Sequence, residues 1–498
     1  MFLLKSLFKR PTLSANGRSP YFAREARWLM VILAAHVTLW IVAPLIGFSS
    51  PPLDVVENLS WGREWVLGTY KHPPLQAWLT EIAWQIGGFL AIYALSQLCV
   101  VATATALFLL GRDIHSRPIG LNAALIYILS FYATIASPEF NANLLSAPFW
   151  AFSSYCLWII LTSQDQSTLL KPWLGLALCL ALAFYSKYSV AFLLCGLLFA
   201  VLFFPRGWKV FGQPKLYLAM ALTIFLCLPN LIWLMNHDFQ PFHYALSRSE
   251  ALTGIDRFIN PAKFFVGILL AFALPILLLV ISGARLCAAP VEKAHQVFIY
   301  ALALGPIMTM ALMAFLSGNG VKSMWGSSAA TLIPLAIALH LTEPKQWRFF
   351  NAGRVLVIGV FLALPVAVAS YSRYSESTPY PQRTAWPGAM LARVSMSGWE
   401  KQSHVLPEII IGPTWEAGLV AQFMPNRPMV LEDGDYTKSP WVSPTIVRKR
   451  GALLVWAGAK DKFTSFAPFD ARGTMPLWHK GRKTEFHWAV VKPRVEQR

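Results

Sequence analysis

The chain has 498 residues, of which 56% are hydrophobic and 13% are charged, and its formal net charge is +18. This composition is typical of a polytopic membrane protein and excludes a chain that is soluble throughout. In such a protein the basic excess indicates cytoplasmic loops and a phosphate-bearing partner, so nucleic-acid binding is excluded as the function. The six cysteines have neither CxxC nor zinc-type spacing, and they predict no disulfide framework and no structural zinc.

Apolar runs of spanning or near-spanning length predict about eleven transmembrane helices. They lie at 28–48, 89–110, 119–136, 142–162, 173–186, 188–204, 216–235, 262–282, 296–316, 325–341 and 353–371. Basic residues at the N-terminus and in alternate loops place the N-terminus in the cytoplasm by the positive-inside rule. These basic residues include Lys5, Lys9, Arg10, Arg18, Arg285, Lys345 and Arg348. An odd number of helices then places the C-terminus on the outer side.

The first outer loop, 49–88, is too polar to cross a bilayer and carries a patterned set of side chains. On a helix, its Asp54, Glu57 and Trp61 share one face. A carboxylate at this position is suited to deprotonate an acceptor hydroxyl or amine. The alternative is that the two acids only cap the helix and interact with its dipole, without a chemical role.

Lys71 and His72 follow in the same loop, directly before a Pro-Pro pair that holds the backbone extended. We expect both side chains to neutralise a phosphate leaving group. A rigid turn whose lysine reaches the lipid headgroups is the alternative. The rings of Trp61 and Tyr70 are candidates for stacking on a sugar.

Other outer loops hold further candidates. Glu139 would be a second acid that orients the acceptor or a divalent cation such as magnesium, with a helix-start acid as the alternative. The candidates for polar contacts to a sugar are Asn141 and Asn143, and those for phosphate binding are Lys187, His243, Arg248 and Lys322. For Arg248, a salt bridge to Asp238 or Glu250 is the alternative.

Residues 372–498 change in character, because charge rises and long apolar runs end. Strands are predicted at 408–412, 428–432, 452–458 and 486–491, and a helix at 414–424. We predict a small soluble α/β domain outside the membrane, which follows a transmembrane catalytic domain over residues 1–371.

Several of these segments resemble one enzyme family. The pattern D-x-x-E-x-x-x-W followed by KHPPLQAWL resembles the first outer loop of bacterial glycosyltransferase family 39. This family comprises the protein O-mannosyltransferase and aminoarabinose-transferase-like enzymes of the GT-C class. The segments SPEFNANLLSAPFW and TWEAGLVAQFMPNRPMVLEDGD are also similar, and the likeness extends from about residue 28 to residue 460.

The resemblance implies transfer of a sugar, with inversion, from a polyprenyl-phosphate donor to a lipid or protein acceptor at the outer face of the bacterial inner membrane. It implies Asp54 as the catalytic base, Glu139 as a supporting acid, and His72 and Arg248 as donor-phosphate contacts. The aminoarabinose transferases read Glu-Lys-Pro-Pro where this chain reads KHPP. A base in place of that acid argues against a metal site there and against aminoarabinose as the sugar.

We therefore predict an α-helical polytopic GT-C glycosyltransferase that acts on lipid A or other lipopolysaccharide-type glycolipids, or on protein. No cofactor is predicted apart from an optional divalent cation. Two other function classes stay open. A lipid-linked sugar flippase is expected to carry charged groups near the bilayer midplane, and a non-catalytic envelope assembly factor would tolerate loss of Asp54.

Overall fold

The computed structural model describes residues 22–164, 169–284, 287–289, 291–341, 351–460, 462–479 and 481–494. Several basic residues used to predict the orientation lie outside these ranges, namely Lys5, Lys9, Arg10, Arg18, Arg285, Lys345 and Arg348. The orientation of the two termini therefore stays a prediction.

The membrane part of the described chain is built from helices. They are α1 (Phe22–Gly47), α2 (Leu53–Gly62), α3 (Leu75–Ile114), α4 (Arg117–Ile128), α5 (Ala142–Thr162), α6 (Leu170–Ser186), α7 (Val190–Phe203), α8 (Pro214–Asn236), α9 (Gln240–Ser247), α10 (Asp256–Ala271), α11 (Ala273–Ile281), α12 (Lys293–Ser317), α13 (Ile333–Ala338) and α14 (Asn351–Ser375). Short 3₁₀ helices include Gly207–Gly212, Ser323–Gly326 and Ala329–Leu332.

Six of the described helices are long and apolar enough to cross a membrane, and a seventh span results if α10 and α11 count as one bent helix. Three further apolar segments are shorter: α6, α7 and Ala329–Ala338. The prediction of a polytopic helical protein is confirmed. Two predicted spans are wrong as continuous helices, because α4 ends at Ile128 within 119–136, and 325–341 yields only a short helix.

Local chemistry explains where the long helices bend. α3 contains non-helical backbone at Gly87 and Gly88, and the φ of +58° at Gly88 is one that side chains disfavour. α10 and α11 meet at 53°. Pro275 has no N–H to offer the carbonyl of Ala271, and that carbonyl instead accepts the backbone N–H of Phe131 at 2.8 Å. This bond ties the turns after α4 to the bend.

The C-terminal part is organised around a five-stranded sheet. Its elements are α15 (Gly388–Glu400), β1 (Ile409–Gly412), α16 (Thr414–Gln422), β2 (Met429–Glu432), α17 (Pro444–Arg450), β3 (Ala452–Ala457), β4 (Ala471–His479) and β5 (Arg482–Val491). The strand order is β2-β1-β3-β5-β4, in which β1 is parallel to both neighbours and β5 is antiparallel to both. The four predicted strands are confirmed. The fifth, β4, was not predicted, because Gly473 and Pro476 interrupt it.

Helix α2 lies between the two parts of the protein. Val55 and Leu59 belong to the apolar core of the membrane helices, whereas Val56 belongs to a core of the C-terminal domain. Gly418 in α16 permits this contact, since a Cβ there would lie 2.6 Å from Val56 Cγ1. The C-terminal domain thus packs directly on the helix that carries Asp54.

Candidate active site

The acids of α2 differ in how far a substrate can reach them. The helix begins after Pro52, and no side chain caps its N-terminus, so Asp54 is a first-turn acid and does not serve as the cap. The side chain of Asp54 is 26% exposed, whereas that of Glu57 is 7% exposed. Asp54 is therefore the carboxylate of this pair that can meet a substrate.

Lys71 lies between the two acids. Its Nζ is 2.6 Å from Glu57 Oε2 and 3.9 Å from Asp54 Oδ1. Burial alone would lower the pKa of Lys71, but both carboxylates oppose this effect and the pKa is raised. Burial also raises the pKa of Glu57, and Lys71 partly offsets that rise. Lys71 is thus the counter-ion of these acids, and its predicted contact with a donor phosphate stays a prediction.

Glu139 reaches the same place from the loop before α5. Its Oε1 accepts a hydrogen bond from the backbone N–H of Asp54 at 3.0 Å. Burial, reinforced by the charge of Asp54, raises the pKa of Glu139 to about 7. Glu139 also lines a cavity of about 410 Å³, and Pro52 at the start of α2 lines it too. The structure therefore brings the two predicted acids together beside a cavity.

Trp61 and Tyr70 both face the C-terminal domain. Trp61 is 1% exposed, and its Nε1–H donates a hydrogen bond to Glu432 Oε1 at 2.5 Å. The hydroxyl of Tyr70 donates to Glu432 Oε2 at 3.2 Å, and the rings of Tyr70 and Trp61 lie edge to face. Trp61 has no face free for a sugar. The stacking prediction is wrong for Trp61, because its ring packs between the two domains.

Glu432 is a buried acid that the sequence analysis did not identify. It ends β2, and the hydroxyl of Thr414 donates to it at 2.9 Å. Burial raises the pKa of Glu432 above its usual value, and the three hydrogen-bond donors offset only part of that rise. The available signal was its position at the end of the apolar run PMVLE, where a carboxylate is buried only if it has partners.

Lys187 lies in the turn between α6 and α7. Its Nζ donates a hydrogen bond to Asn143 Oδ1 and lies 3.5 Å from the carbonyl oxygen of Trp325. Burial lowers the pKa of Lys187 to about 8, and the charge of Asp54 opposes this shift. Asn141 caps α5, because its Oδ1 accepts two backbone N–H groups. Only the amide NH₂ of Asn141 is left for the predicted contact with a sugar.

His72 is adjacent to Lys71 but does not supply a positive charge at neutral pH. Burial, together with the charges of Lys71 and Lys187, holds the pKa of His72 well below its usual range. The ring lies 6.4 Å from that of Trp61. A neutral imidazole can still donate one hydrogen bond to a phosphate oxygen. The predicted contact of His72 with the donor phosphate therefore stays a prediction, but as an uncharged hydrogen bond.

Arg248 is exposed at the end of α9. Within the described chain it forms no salt bridge with Asp238 or Glu250, so the alternative weighed for Arg248 has no support. It follows Tyr244 by one helical turn, and the ring of Tyr244 is 5.3 Å from that of Tyr70. Arg248 is thus on the element that borders the Lys71 side of the site.

Two predicted cationic side chains, and the optional divalent cation, are less closely tied to the acids. His243 is exposed on α9, and Lys322 is half-buried before the 3₁₀ helix Ser323–Gly326. Among the described residues, no group of three or more His, Cys, Asp or Glu side chains is arranged to hold a metal ion. Lys71 already places a cation between Asp54 and Glu57, so this donor set does not fit a divalent metal.

Known proteins with similar sequences transfer sugars. Residues 71–233 match the family model of the dolichyl-phosphate-mannose-protein mannosyltransferases. The lipopolysaccharide core galacturonosyltransferase RgtB of Rhizobium johnstonii is 23% identical over 482 residues, which are 89% of this chain and 90% of RgtB. The lipid A galacturonosyltransferase RgtD of the same organism is 26% identical over 215 residues, which are 42% of this chain and 44% of RgtD. These similarities support a membrane glycosyltransferase.

The fold is also that of a solved glycosyltransferase. The crystal structure of ArnT from Cupriavidus metallidurans bound to undecaprenyl phosphate matches with a TM-score of 0.62 at 13% identity, covering 93% of this chain and 98% of ArnT. The apo-state structure of the same enzyme gives a TM-score of 0.54. The resemblance drawn from the KHPPLQAWL motif is confirmed, and the chain has the GT-C fold of ArnT.

Proposed function

We propose that the protein is an inverting glycosyltransferase that moves a sugar from a polyprenyl-phosphate donor to a lipid acceptor of the lipid A or lipopolysaccharide type. RgtB and RgtD, whose names give such lipids as acceptors, support a lipid over a protein acceptor. Their names also make galacturonic acid the first sugar to test. The undecaprenyl phosphate bound to ArnT, which shares the fold, supports the donor class.

The observation that carries the proposal is the environment of Asp54. This carboxylate is partly exposed beside Glu139, and Lys71 with Glu57 fixes the charge behind it. A base that must reach a substrate needs exposure, and its neighbours need to hold it in one place. Asp54 has this partial exposure and these neighbours in the N-terminal turn of α2, which packs between the two domains.

The reaction follows from this arrangement as a single displacement. An acceptor hydroxyl attacks the anomeric carbon of the sugar while Asp54 takes the hydroxyl proton. The bond between the anomeric carbon and the phosphate oxygen breaks, and its electron pair leaves with the polyprenyl phosphate. Arg248, exposed at the end of α9, is suited to bind the phosphate as its charge grows. Lys71, Lys187 and neutral His72 would add charge and one hydrogen bond from the interior.

We place this reaction on the outer face of the bacterial inner membrane, with the N-terminus in the cytoplasm. The transmembrane catalytic domain would end near residue 371, and residues 372–498 would form the extracytoplasmic domain. The packing of α16 on α2 supports a role for that second domain in holding the site together.

Asp54→Asn tests the proposal directly. Purified protein in nanodiscs would receive undecaprenyl-phosphate galacturonate and lipid A, and free undecaprenyl phosphate and modified lipid A would be measured. Loss of a general base lowers the rate by about 10²- to 10⁴-fold. Asp256→Asn is the matched control, since Asp256 is also a first-turn helix acid but lies exposed on α10.

Near-normal transfer by Asp54→Asn would refute the assignment of the base. Equal, small losses in both variants would mean that Asp54 only stabilises its helix. If the wild-type protein released no undecaprenyl phosphate but moved the intact donor across liposomes, a flippase would replace the transferase proposal.

A further inference from the structure

The cavity beside Glu139 is a groove lined mainly by α14 and by the turns after α4. Its lining residues come from the last turns of α14, from the turns after α4, from the link between α1 and α2, and from the segment that leads into the C-terminal domain. They are Phe48, Pro52, Ile135, Pro138, Glu139, Ala367, Val368, Tyr371, Gln382 and Thr384. α1 and α14 pack closely here, since a Cβ on Gly47 would lie 2.4 Å from Ala369 Cα.

The groove changes in polarity along its length. The side contributed by Ile135 and Val368 is apolar, and Ile135 is partly exposed beside the membrane helices. Glu139 lies at the inner end, next to Asp54, and Gln382 with Thr384 form a polar rim. A volume of about 410 Å³ is within the usual range for small-molecule sites, so one sugar unit with the start of an acyl chain would fit.

Arg383 lies between Gln382 and Thr384 in the chain, although it is not itself a lining residue, and it was not identified from the sequence. Its side chain is exposed, and its guanidinium lies 5.9 Å from the ring centre of Trp415. In the part of the chain that the structure describes, it forms no salt bridge. Its positive charge nevertheless acts on Glu139. An exposed arginine held by an aromatic ring is suited to bind phosphate through two hydrogen bonds.

We propose that this groove binds the acceptor, an anionic glycolipid whose acyl chain lies against α14 and the turns after α4 and whose phosphate binds Arg383. Its hydroxyl then points past Glu139 to Asp54. This inference rests on the proposed function and specifies the class of acceptor. It makes Arg383 a binding residue for the acceptor and leaves the donor to other residues.

The stereochemistry of an inverting reaction supports two separate sites. The attacking hydroxyl and the leaving phosphate must lie on opposite sides of the anomeric carbon. Lys71 reaches Asp54 from the first outer loop, and neither Lys71 nor any residue of α9, the helix that ends before Arg248, lines the groove. By contrast, both chain neighbours of Arg383 line it. The groove is therefore the separate route that an acceptor needs.

Lipid binding measured by native mass spectrometry tests this proposal without relying on turnover. The probes are bis-phosphorylated lipid A, its dephosphorylated counterpart and undecaprenyl phosphate, each added to the full-length protein. Arg383→Ala removes a charged hydrogen-bonding group, and we expect about tenfold weaker binding of bis-phosphorylated lipid A or more. Binding of dephosphorylated lipid A and of undecaprenyl phosphate should be unchanged. Arg393→Ala, at an exposed arginine of α15, is the matched control.

A second variant tests the groove itself. Val368→Trp fills it and should weaken both forms of lipid A, whereas Val366→Trp, on an exposed position of the same helix outside the groove, should not. Loss of undecaprenyl phosphate binding in the groove variants would assign the groove to the donor and overturn the proposal. Unchanged lipid A binding in both variants would overturn it as well. Arg383-dependent binding of lipid A by a protein that releases no undecaprenyl phosphate would support the groove and refute the transferase.

Discussion

Arg427 offers a quantitative test of how the C-terminal domain is held on the catalytic helices. It lies between α16 and β2 and binds Glu81 of α3 through two hydrogen bonds, of 3.0 Å and 2.8 Å. Its guanidinium also donates to the carbonyl of Leu59 in α2 and lies 5.0 Å from the ring centre of Trp84. One side chain thus joins the C-terminal domain to α2 and α3.

The expected magnitude follows from burial. The side chain of Arg427 is 15% exposed and that of Glu81 is 5% exposed. Removing one partner of a buried ion pair leaves the other charge without compensation and costs about 3 to 5 kcal/mol. We expect Arg427→Met to fall at the lower end of this range, because the thioether can keep contact with Trp84. Replacing both partners, as in Arg427→Met with Glu81→Leu, should recover much of the loss.

Thermal unfolding in detergent, followed by tryptophan fluorescence, measures the effect. Asp433→Asn is the control, since it breaks the more exposed pair with Lys438, and such pairs contribute less than about 1 kcal/mol. Asn also tolerates the positive φ at this position. Equal shifts for Arg427→Met and Asp433→Asn would refute the reasoning, and so would a double variant less stable than Arg427→Met alone.

Two further predictions concern the acids of the site. The pKa of Glu139 is raised from 4.5 to about 7, so the folded protein holds this proton more tightly than the unfolded chain. The free energy of unfolding therefore falls as the pH rises from 4.5 to 7, and Glu139→Gln should flatten this part of a stability profile measured against pH. An unchanged slope would contradict the shift. Trp61→Phe removes a donor from buried Glu432 and should lower the free energy of unfolding by about 1 to 3 kcal/mol; a change below 0.5 kcal/mol, about the usual limit for surface substitutions, would show that this bond is not needed.

The sequence predicted the existence of the elements better than their continuity. Apolar runs and β-branched segments indicate where the chain is buried. Each predicted strand is present. Whether a helix continues through an apolar run depends on hydrogen-bond partners that lie outside that run. The carbonyl of Ala271 is released by Pro275 and accepts a bond from Phe131, more than a hundred residues earlier in the chain. No pattern within 119–136 or 262–282 indicates this bond, so the sequence predicted too long a helix at 119–136 and missed the bend within 262–282.

The candidate site shows the same division between local and distant information. Helical spacing placed Asp54 and Glu57 on one face, and the family motif pointed to Glu139. The partners of Trp61 and Glu81 in the C-terminal domain, Glu432 and Arg427, lie 371 and 346 residues away, and no local period indicates such contacts. These contacts limit the role of a side chain, since the ring of Trp61 packs between the two domains and cannot also stack on a sugar.

Burial separates the cations of the site by role. A buried cation must have partners, because desolvation is costly. Lys71 and Lys187 fulfil this condition with Glu57 and Asn143, respectively, and both are therefore committed before any substrate arrives. A group that binds an incoming phosphate has to be reachable, and Arg248, at the end of α9, and Arg383, after α14, are both exposed. The proposed reaction between two anionic lipids would use these two exposed arginines on separate elements, one for each phosphate.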